Sequence, residues 1–260
     1  MPAKKKLKTK KKKPKIIEPE KPIEKNPSDF DVYKLGKTLG KGAFGAVYQG
    51  LDTNTGALVA IKTIPLNNSG SLTEVQSEID MMSKLKNEHI IKYINSYKTD
   101  DFLYIVMEYA EGGSLQHLQK KYFNFNDKEE LASQYIHQVL LGLQYLHSQS
   151  IIHRDIKAAN ILLNNNIVKL SDFGISVDLS KGTQADADFQ CSPYWAAPEV
   201  INMESITEKA DIWSLGITAI EMFTGQPPYY ELAPIPAMFK IVQNQETPLP
   251  DNISHEFKDF

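Results

Sequence analysis

Two clusters in this sequence set chemistry-bearing side chains at short spacing. In His153-Arg154-Asp155-Ile156-Lys157-Ala158-Ala159-Asn160 one short loop carries a carboxylate, an ammonium and an amide. Asp155 could receive the proton of a hydroxyl, Lys157 could face a transferring phosphate, and Asn160 offers an amide oxygen to Mg²⁺. Downstream, Asp172-Phe173-Gly174 follows the apolar run at 167–170. That places the Asp172 carboxylate at a strand end with a flexible glycine behind it, suited to a second metal contact. Solvated loop polars alone do not account for both clusters at this spacing.

Near the N-terminus, Gly40-Lys41-Gly42-Ala43-Phe44-Gly45-Ala46-Val47 spaces three glycines where backbone can approach phosphates without Cβ interference. By itself this is equally an ordinary glycine-rich hairpin. A dinucleotide-binding turn would lead into a helix, whereas Val47-Tyr48-Gln49-Gly50 reads as strand, which favours a lid over phosphates. In Val59-Ala60-Ile61-Lys62 a single ammonium stands on an apolar strand, where an unpaired charge is costly. Glu78, on the inner face of a helix beside Ile79 and Met82, supplies one anionic partner, and phosphates supply others.

The elements that must position these groups fall into two parts. From 31 to 107, short β-branched and aromatic runs at 33–39, 46–52, 58–65, 91–99 and 102–108 alternate with Gly, Asn and Asp turns. One helical pattern interrupts them, opening at a capping box of Ser71 and Glu74 and carrying Val75, Ile79, Met82 and Leu85 on one face. Beyond Gly112-Gly113 the period becomes helical, with Leu131, Tyr135, Val139, Gly142 and Leu146 on one stripe. The expectation is an α+β chain: a small sheet with one helix, then a mainly α-helical part.

With 42% hydrophobic and 23% charged residues over 260 positions, the chain can bury a substantial core. No apolar run reaches membrane-spanning length, and Cys191 is the single cysteine, so a soluble, reducing, intracellular setting is expected. Residues 1–27 hold eleven Lys against three Glu, interleaved with prolines, and are expected to form a disordered tail. The tail reads as an importin-type nuclear-import signal, a polyanion-binding arm or an anionic-lipid tether, and equally as a solvated segment with no partner. The remainder is acidic, which argues against specific nucleic-acid binding. A cytoplasmic location is expected, with nuclear entry if the tail is an import signal.

In order, the glycine loop, Val-Ala-Ile-Lys, the helix Glu, His-Arg-Asp, Asp-Phe-Gly and Ala197-Pro198-Glu199 resemble the eukaryotic protein kinases over about residues 30–260. Asp211-Ile212-Trp213-Ser214-Leu215-Gly216 and Pro227-Pro228-Tyr229-Tyr230 are most similar to the sterile-20-like and MAP kinase kinase kinase group, its septation-type and epsilon-type members in particular. The resemblance implies a two-lobed kinase fold, with an N-lobe at 28–109 and a C-lobe at 110–260. It implies serine/threonine phosphorylation of protein substrates with ATP and Mg²⁺, under an upstream small GTPase or activating kinase. By position, Leu39, Gly40, Lys41, Gly42, Ala43, Phe44, Gly45, Ala46 and Val47 would cover ATP. Lys62 would hold the phosphates with Glu78 orienting it, and Asp155 would be the base with Lys157 beside it. Asn160 and Asp172 would bind Mg²⁺. Met107 would be the gatekeeper, Glu108 and Ala110 would present backbone to adenine, and Val47, Ala60 and Leu162 would sandwich the base. Met82, Tyr93, His153 and Phe173 match a hydrophobic column between the lobes.

Cys191-Ser192-Pro193-Tyr194-Trp195-Ala196 departs from the usual Gly-Thr-Pro-Tyr/Phe-Trp-Met: Ser192 keeps the hydroxyl, Ala196 loses bulk, and Cys191 reads as a small packing residue. The family continues past the position of Phe260 with further helices, so a truncated C-lobe is expected. Its faces at 217–223 and 238–242 would then be partly uncovered, and Glu199 would lack its usual arginine, Arg154 being the only one in the chain. Arg154 is, in the family, an anchor for a phosphorylated residue between Asp-Phe-Gly and Ala-Pro-Glu. Asp188 falls where that residue often lies, with Thr183 and Ser192 as other phosphosite candidates. The rival reading is a pseudokinase or inert fragment acting as an ATP-binding interaction module.

Overall fold

The computed structural model describes residues 27–42, 45–66, 79–122, 125–173, 176–178, 191–244, 247–251 and 253–260. The alternating runs form β1 (Tyr33–Gly42), β2 (Gly45–Asp52), β3 (Leu58–Pro65), β4 (Tyr93–Lys98) and β5 (Phe102–Glu108). These make one antiparallel sheet in the order β1-β2-β3-β5-β4. Turn chemistry sets its hairpins. Asp52 Oδ1 accepts the Asn54 and Thr55 N–H groups at 2.9 and 3.3 Å, and Thr99 Oγ1 accepts the Phe102 N–H at 3.0 Å.

Val59, Ile61, Tyr97 and Val106 pack on one side of the sheet against Phe30, which stacks on Tyr104 at 4.1 Å between ring centres. Ile64, Leu103 and Ile105 meet Ile79 on the other. Ile79 belongs to α1, whose described residues are 79–84. Met82 is buried there as expected, whereas Leu85 is buried just past the helix end. The expected cap at Ser71 and Glu74, with Val75, lies outside the described residues, as does the tail at 1–26.

The second part holds β6 (Gly113–Ser114), α2 (Leu115–Lys121), α3 (Glu129–Ser148), β7 (Ile151–Ile152), β8 (Ile161–Asn164), β9 (Ile167–Leu170), β10 (Val177–Asp178), α4 (Pro198–Ile201), α5 (Lys209–Thr224), α6 (Pro234–Gln243) and α7 (His255–Asp259). The stripe read on α3 faces inward: Tyr135, Val139, Gly142 and Leu146 are buried. A Cβ at Gly142 would approach Leu170 Cδ1 to 3.0 Å, so glycine lets α3 lie close under β9. The two parts are joined where the Leu170 N–H donates to His89 O and the Ile91 N–H to Leu170 O, at 2.8 and 2.9 Å.

Buried residues line nearly the whole circumference of α5, which makes it the central post of the helical part. The expected exposure at 217–223 is not found: Ile217, Ala219, Met222 and Phe223 are buried in the core. The exposure expected at 238–242 is found, at Phe239 and Val242 of α6, and Ile212 of α5 and Ile235 of α6 are exposed as well. Among the described residues no helix is long and apolar enough to cross a membrane.

Candidate active site

A polar stripe on α5 fixes the loop at 153–160. Asp211, Ser214, Thr218 and Glu221 recur at helical spacing, and all four are buried. The Asp211 carboxylate is fully buried. It accepts the backbone N–H groups of His153 and Arg154 at 2.9 and 2.8 Å and pairs with His147 Nε2 at 2.8 Å. Arg154 is thereby held at φ 67, a left-handed conformation that its neighbours must stabilise. Thr218 shares its hydroxyl between Ser214 O and Ile156 O, and Ser214 shares its own between Ala210 O and Trp195 O. Glu221 Oε2 accepts the Ala158 N–H at 3.0 Å and the Trp195 indole N–H at 2.9 Å. Burial pushes the Glu221 carboxyl above its ordinary range, against the hydrogen bonds it receives from Ala158, Trp195 and Gln116. Asp211→Ala orphans two buried N–H groups and a histidine. It should cost about 3–5 kcal/mol of stability, read from the urea midpoint; a loss below about 1 kcal/mol would contradict the anchoring role.

On this frame four side chains converge. Asn160 Nδ2 donates to Asp155 Oδ2 at 2.7 Å and to Asp155 O at 2.9 Å. Lys157 Nζ donates to both Asp155 oxygens at 2.9 and 2.8 Å, and to Ser192 Oγ at 2.7 Å. The Ser192 hydroxyl in turn donates to Asp155 Oδ1 at 2.6 Å. The carboxylate is thus aimed and charge-balanced from three sides. The buried His153 ring supports the same loop: Nδ1 accepts the Asp155 N–H at 3.3 Å, which leaves Nε2 to donate to Ser171 O at 3.1 Å.

Lys62 on β3 reaches Asp172 Oδ1 at 3.1 Å. Burial tends to raise the Asp172 carboxyl. The charge and hydrogen bond of Lys62 outweigh that, with His153 and Lys157 adding to it, and hold the carboxyl below the usual carboxylate range. Asp172 adopts φ 64, so the residue after Ser171 turns sharply. Asn160 spends its NH₂ on Asp155, which leaves Oδ1 without a donor among the described residues; Asp172 Oδ2 is likewise uncommitted. Two free, oriented oxygens suit a hard cation that completes its shell with phosphate oxygens and water. Among the described residues no group of three or more His, Cys, Asp or Glu side chains could hold a metal unaided.

The glycine loop is a hairpin, as read. Gly40, Lys41 and Gly42 on β1 pair with Val47, Ala46 and Gly45 on β2. Gly45 stands at φ 141, and a Cβ there would run into the Thr63 carbonyl oxygen. Leu39 and Lys41 are exposed at the hairpin; Ala43 and Phe44 lie outside the described residues. Direct pairing puts Val47, Lys62 and Ile105 in register, and Gln49, Ala60 and Met107 two residues along, so Val47, Ala60, Lys62 and Met107 share one face of the sheet. Leu162 on β8, half-buried, pairs with Ser114 and Lys169. The Glu108 side chain is committed to Asn164, Lys169 and the Lys92 N–H. Its backbone N–H donates to Lys92 O at 2.9 Å, leaving only its carbonyl for a base edge. Ala110 is a buried residue whose N–H has no backbone acceptor among the described residues, a donor a nucleobase could use.

Glu78, the expected partner of Lys62, lies outside the described residues, as do Gly174, Thr183 and Asp188. Met82 and Phe173 join one core cluster with Tyr93 packed on it, and the His153 ring sits 5.0 Å from Phe173. Arg154 is half-buried, its Nε has no partner among the described residues, and burial lowers the guanidinium's pKa from its ordinary value. Cys191 packs on Ala197, Val200 and Ala210, and burial pushes its thiol up, as suits a packing residue. Ser192 is the site residue the sequence reading passed over. The sequence shows a retained hydroxyl, but nothing local signals a contact with Lys157, 35 positions away.

A family model, described as Protein kinase domain, matches residues 33–260. The chain is similar to MAP3K epsilon protein kinase 1 of Arabidopsis thaliana, 46% identical over 233 residues, covering 88% of this chain and 17% of that protein. It is similar to Cell division control protein 7 of Schizosaccharomyces pombe, 45% identical over 229 residues (87% and 21%). Cytokinesis protein sepH of Aspergillus niger is 45% identical over 240 residues (91% and 18%). The chain therefore spans about a fifth of the length of these relatives.

Proposed function

This chain belongs to the protein kinase domain family, and from that premise we propose that it transfers the γ-phosphate of ATP to serine and threonine hydroxyls of other proteins. The observation that carries the reading is the convergence of Lys157, Ser192 and Asn160 on Asp155. The acceptor oxygen forms a bond to the γ-phosphorus as the bond to the ADP oxygen breaks, and the hydroxyl proton passes to Asp155. Lys157 faces the charge on the transferring group, and Lys62 holds the other phosphates under the 40–47 hairpin. Asn160 and Asp172 would hold Mg²⁺, which neutralises phosphate charge when bound. Val47, Ala60 and Leu162 flank the base, with Met107 behind it and the Ala110 N–H and Glu108 carbonyl on its edge.

A nucleotide-binding module without transfer has no residue to rest on, since Lys62, Asp155, Asn160 and Asp172 are all present. The Arabidopsis relative is named a MAP3K epsilon protein kinase, which supports protein substrates, and a signalling role under an upstream activator belongs to the same proposal. For activation, Arg154 is the anchor we assign to an anionic side chain from 179–190, with Asp188 as the candidate.

The test is phosphoamino-acid analysis of a protein acceptor after incubation with labelled MgATP. Label on serine and threonine is expected, because Lys157 and Ser192 crowd Asp155 and leave room for a short hydroxyl. Substantial phosphotyrosine would overturn the assignment.

A further inference from the structure

Lys169 is 9% exposed within β9, between the buried Val168 and Leu170, where an ammonium carries a desolvation cost that pairing seldom repays in stability. Its Nζ pairs with Glu108 Oε1 at 3.0 Å and donates to Glu88 O at 3.0 Å. Asn164 Nδ2 donates to the same Glu108 oxygen at 2.9 Å, and the Lys92 N–H donates to the other at 3.2 Å. Direct pairing sets Leu162 opposite Lys169, and Asn164 lies two residues past Leu162, so all three share one face of the paired strands β8 and β9. The Glu108 side chain therefore ties the end of β5 to the strands that carry Leu162, the residue flanking the base. Farther along, the Gly112 N–H donates to Leu163 O at 2.9 Å. These two ties bracket 108–110, the stretch that offers the Glu108 carbonyl and the Ala110 N–H to a base edge. The second tie is made by backbone alone, whereas the first depends on the side chains of Glu108 and Lys169.

We propose that Lys169 is a positioning residue for recognition of the purine 6-amino group. By gripping the Glu108 side chain from the strands under the base, it fixes the Glu108 carbonyl relative to Leu162, so that the carbonyl accepts one N–H of that amino group. The proposal rests on the nucleotide reading of the cleft. Lys169 acts through Glu108, since its ammonium is spent on Glu108 and Glu88. Met at 169 keeps much of the length and removes the charge, which leaves Glu108 held only by Asn164 and the Lys92 N–H. Leu at 108 together with Met at 169 replaces the pair by apolar side chains, a change often neutral in stability, whereas removing one partner of a buried pair is not. The backbone carbonyl at 108 survives in both variants.

The experiment measures equilibrium affinity for MgATP and for the Mg²⁺ complex of purine riboside triphosphate, which lacks the 6-amino group. Wild type, Lys169→Met and the double variant Glu108→Leu/Lys169→Met are compared, with urea midpoints alongside. Wild type should prefer ATP by about 5–10-fold, the scale of one net hydrogen bond. In both variants ATP affinity should fall by about that factor while affinity for the analogue stays within about twofold of wild type, so that the preference shrinks to about twofold or less. Loss of the preference in a double variant whose urea midpoint matches wild type separates positioning from stability, and keeps the test decisive if Lys169→Met fails to fold. An intact preference in either folded variant would overturn the proposal. So would equal weakening of both nucleotides in Lys169→Met, the mark of a merely structural role. A wild type that binds the two nucleotides alike would overturn the reading of the 108–110 stretch as the base edge and this proposal with it, an outcome distinct from loss of the Lys169 role alone.

Discussion

Asp155→Asn is expected to lower the single-turnover rate of phosphate transfer by about 10²–10⁴-fold, the usual worth of a positioned general base. An amide can accept the hydrogen bonds now made by Lys157 and Ser192, but it cannot take the acceptor's proton. Its NH₂ would face the Asn160 amide and the Lys157 ammonium, which keeps its bond to the other oxygen, a local mismatch costing on the order of 1–3 kcal/mol, which should leave the domain folded. Circular dichroism and nucleotide affinity, measured alongside, separate lost chemistry from lost structure. A variant turning over within about threefold of wild type would remove Asp155 from its assigned role.

Lys62→Met and Asp172→Ala should each reduce transfer by about 10²–10³-fold or more, since each removes a fixed charge from the phosphate-facing side. Their acid behaviour should differ from wild type in a defined direction. Asp172 is held below the usual carboxylate range, so its contribution to stability is present above the unfolded value, about pH 4, and is lost as pH falls through the depressed folded value. Lys62→Met removes the main cause of that depression and should shrink the acid-dependent part of the stability curve. Acid titrations of wild type and Lys62→Met followed by fluorescence would check this. Superimposable curves would mean the pair at 3.1 Å contributes nothing in solution.

Much of this was legible because the chemistry is local. The bounds of β3 and β5 match the alternating runs at 58–65 and 102–108, each flanked by turn residues. β1 runs past Leu39 to Gly42 because pairing continues into the hairpin, where glycines mute the strand pattern. β4 is shorter than read, starting at Tyr93, because Ile90 and Ile91 are drawn into the bridge with Leu170. The stripe on α5 was not legible. Asp, Ser, Thr and Glu at helical spacing ordinarily read as a solvated face, and only the tertiary fold shows that the face meets backbone donors and acceptors of the 153–160 loop. The exposure expected at 217–223 failed for the same reason: α5 is enclosed on several sides, so its apolar residues are already covered. Ser192 needed the fold as well, since its partners come from a different loop.

The most direct measurement of the central claim is transfer of label from γ-labelled MgATP to a serine- and threonine-containing protein, wild type beside Asp155→Asn at equal concentration. The account predicts label on the acceptor that depends on Mg²⁺ and on Asp155. Saturable MgATP binding with no Asp155-dependent transfer would contradict it.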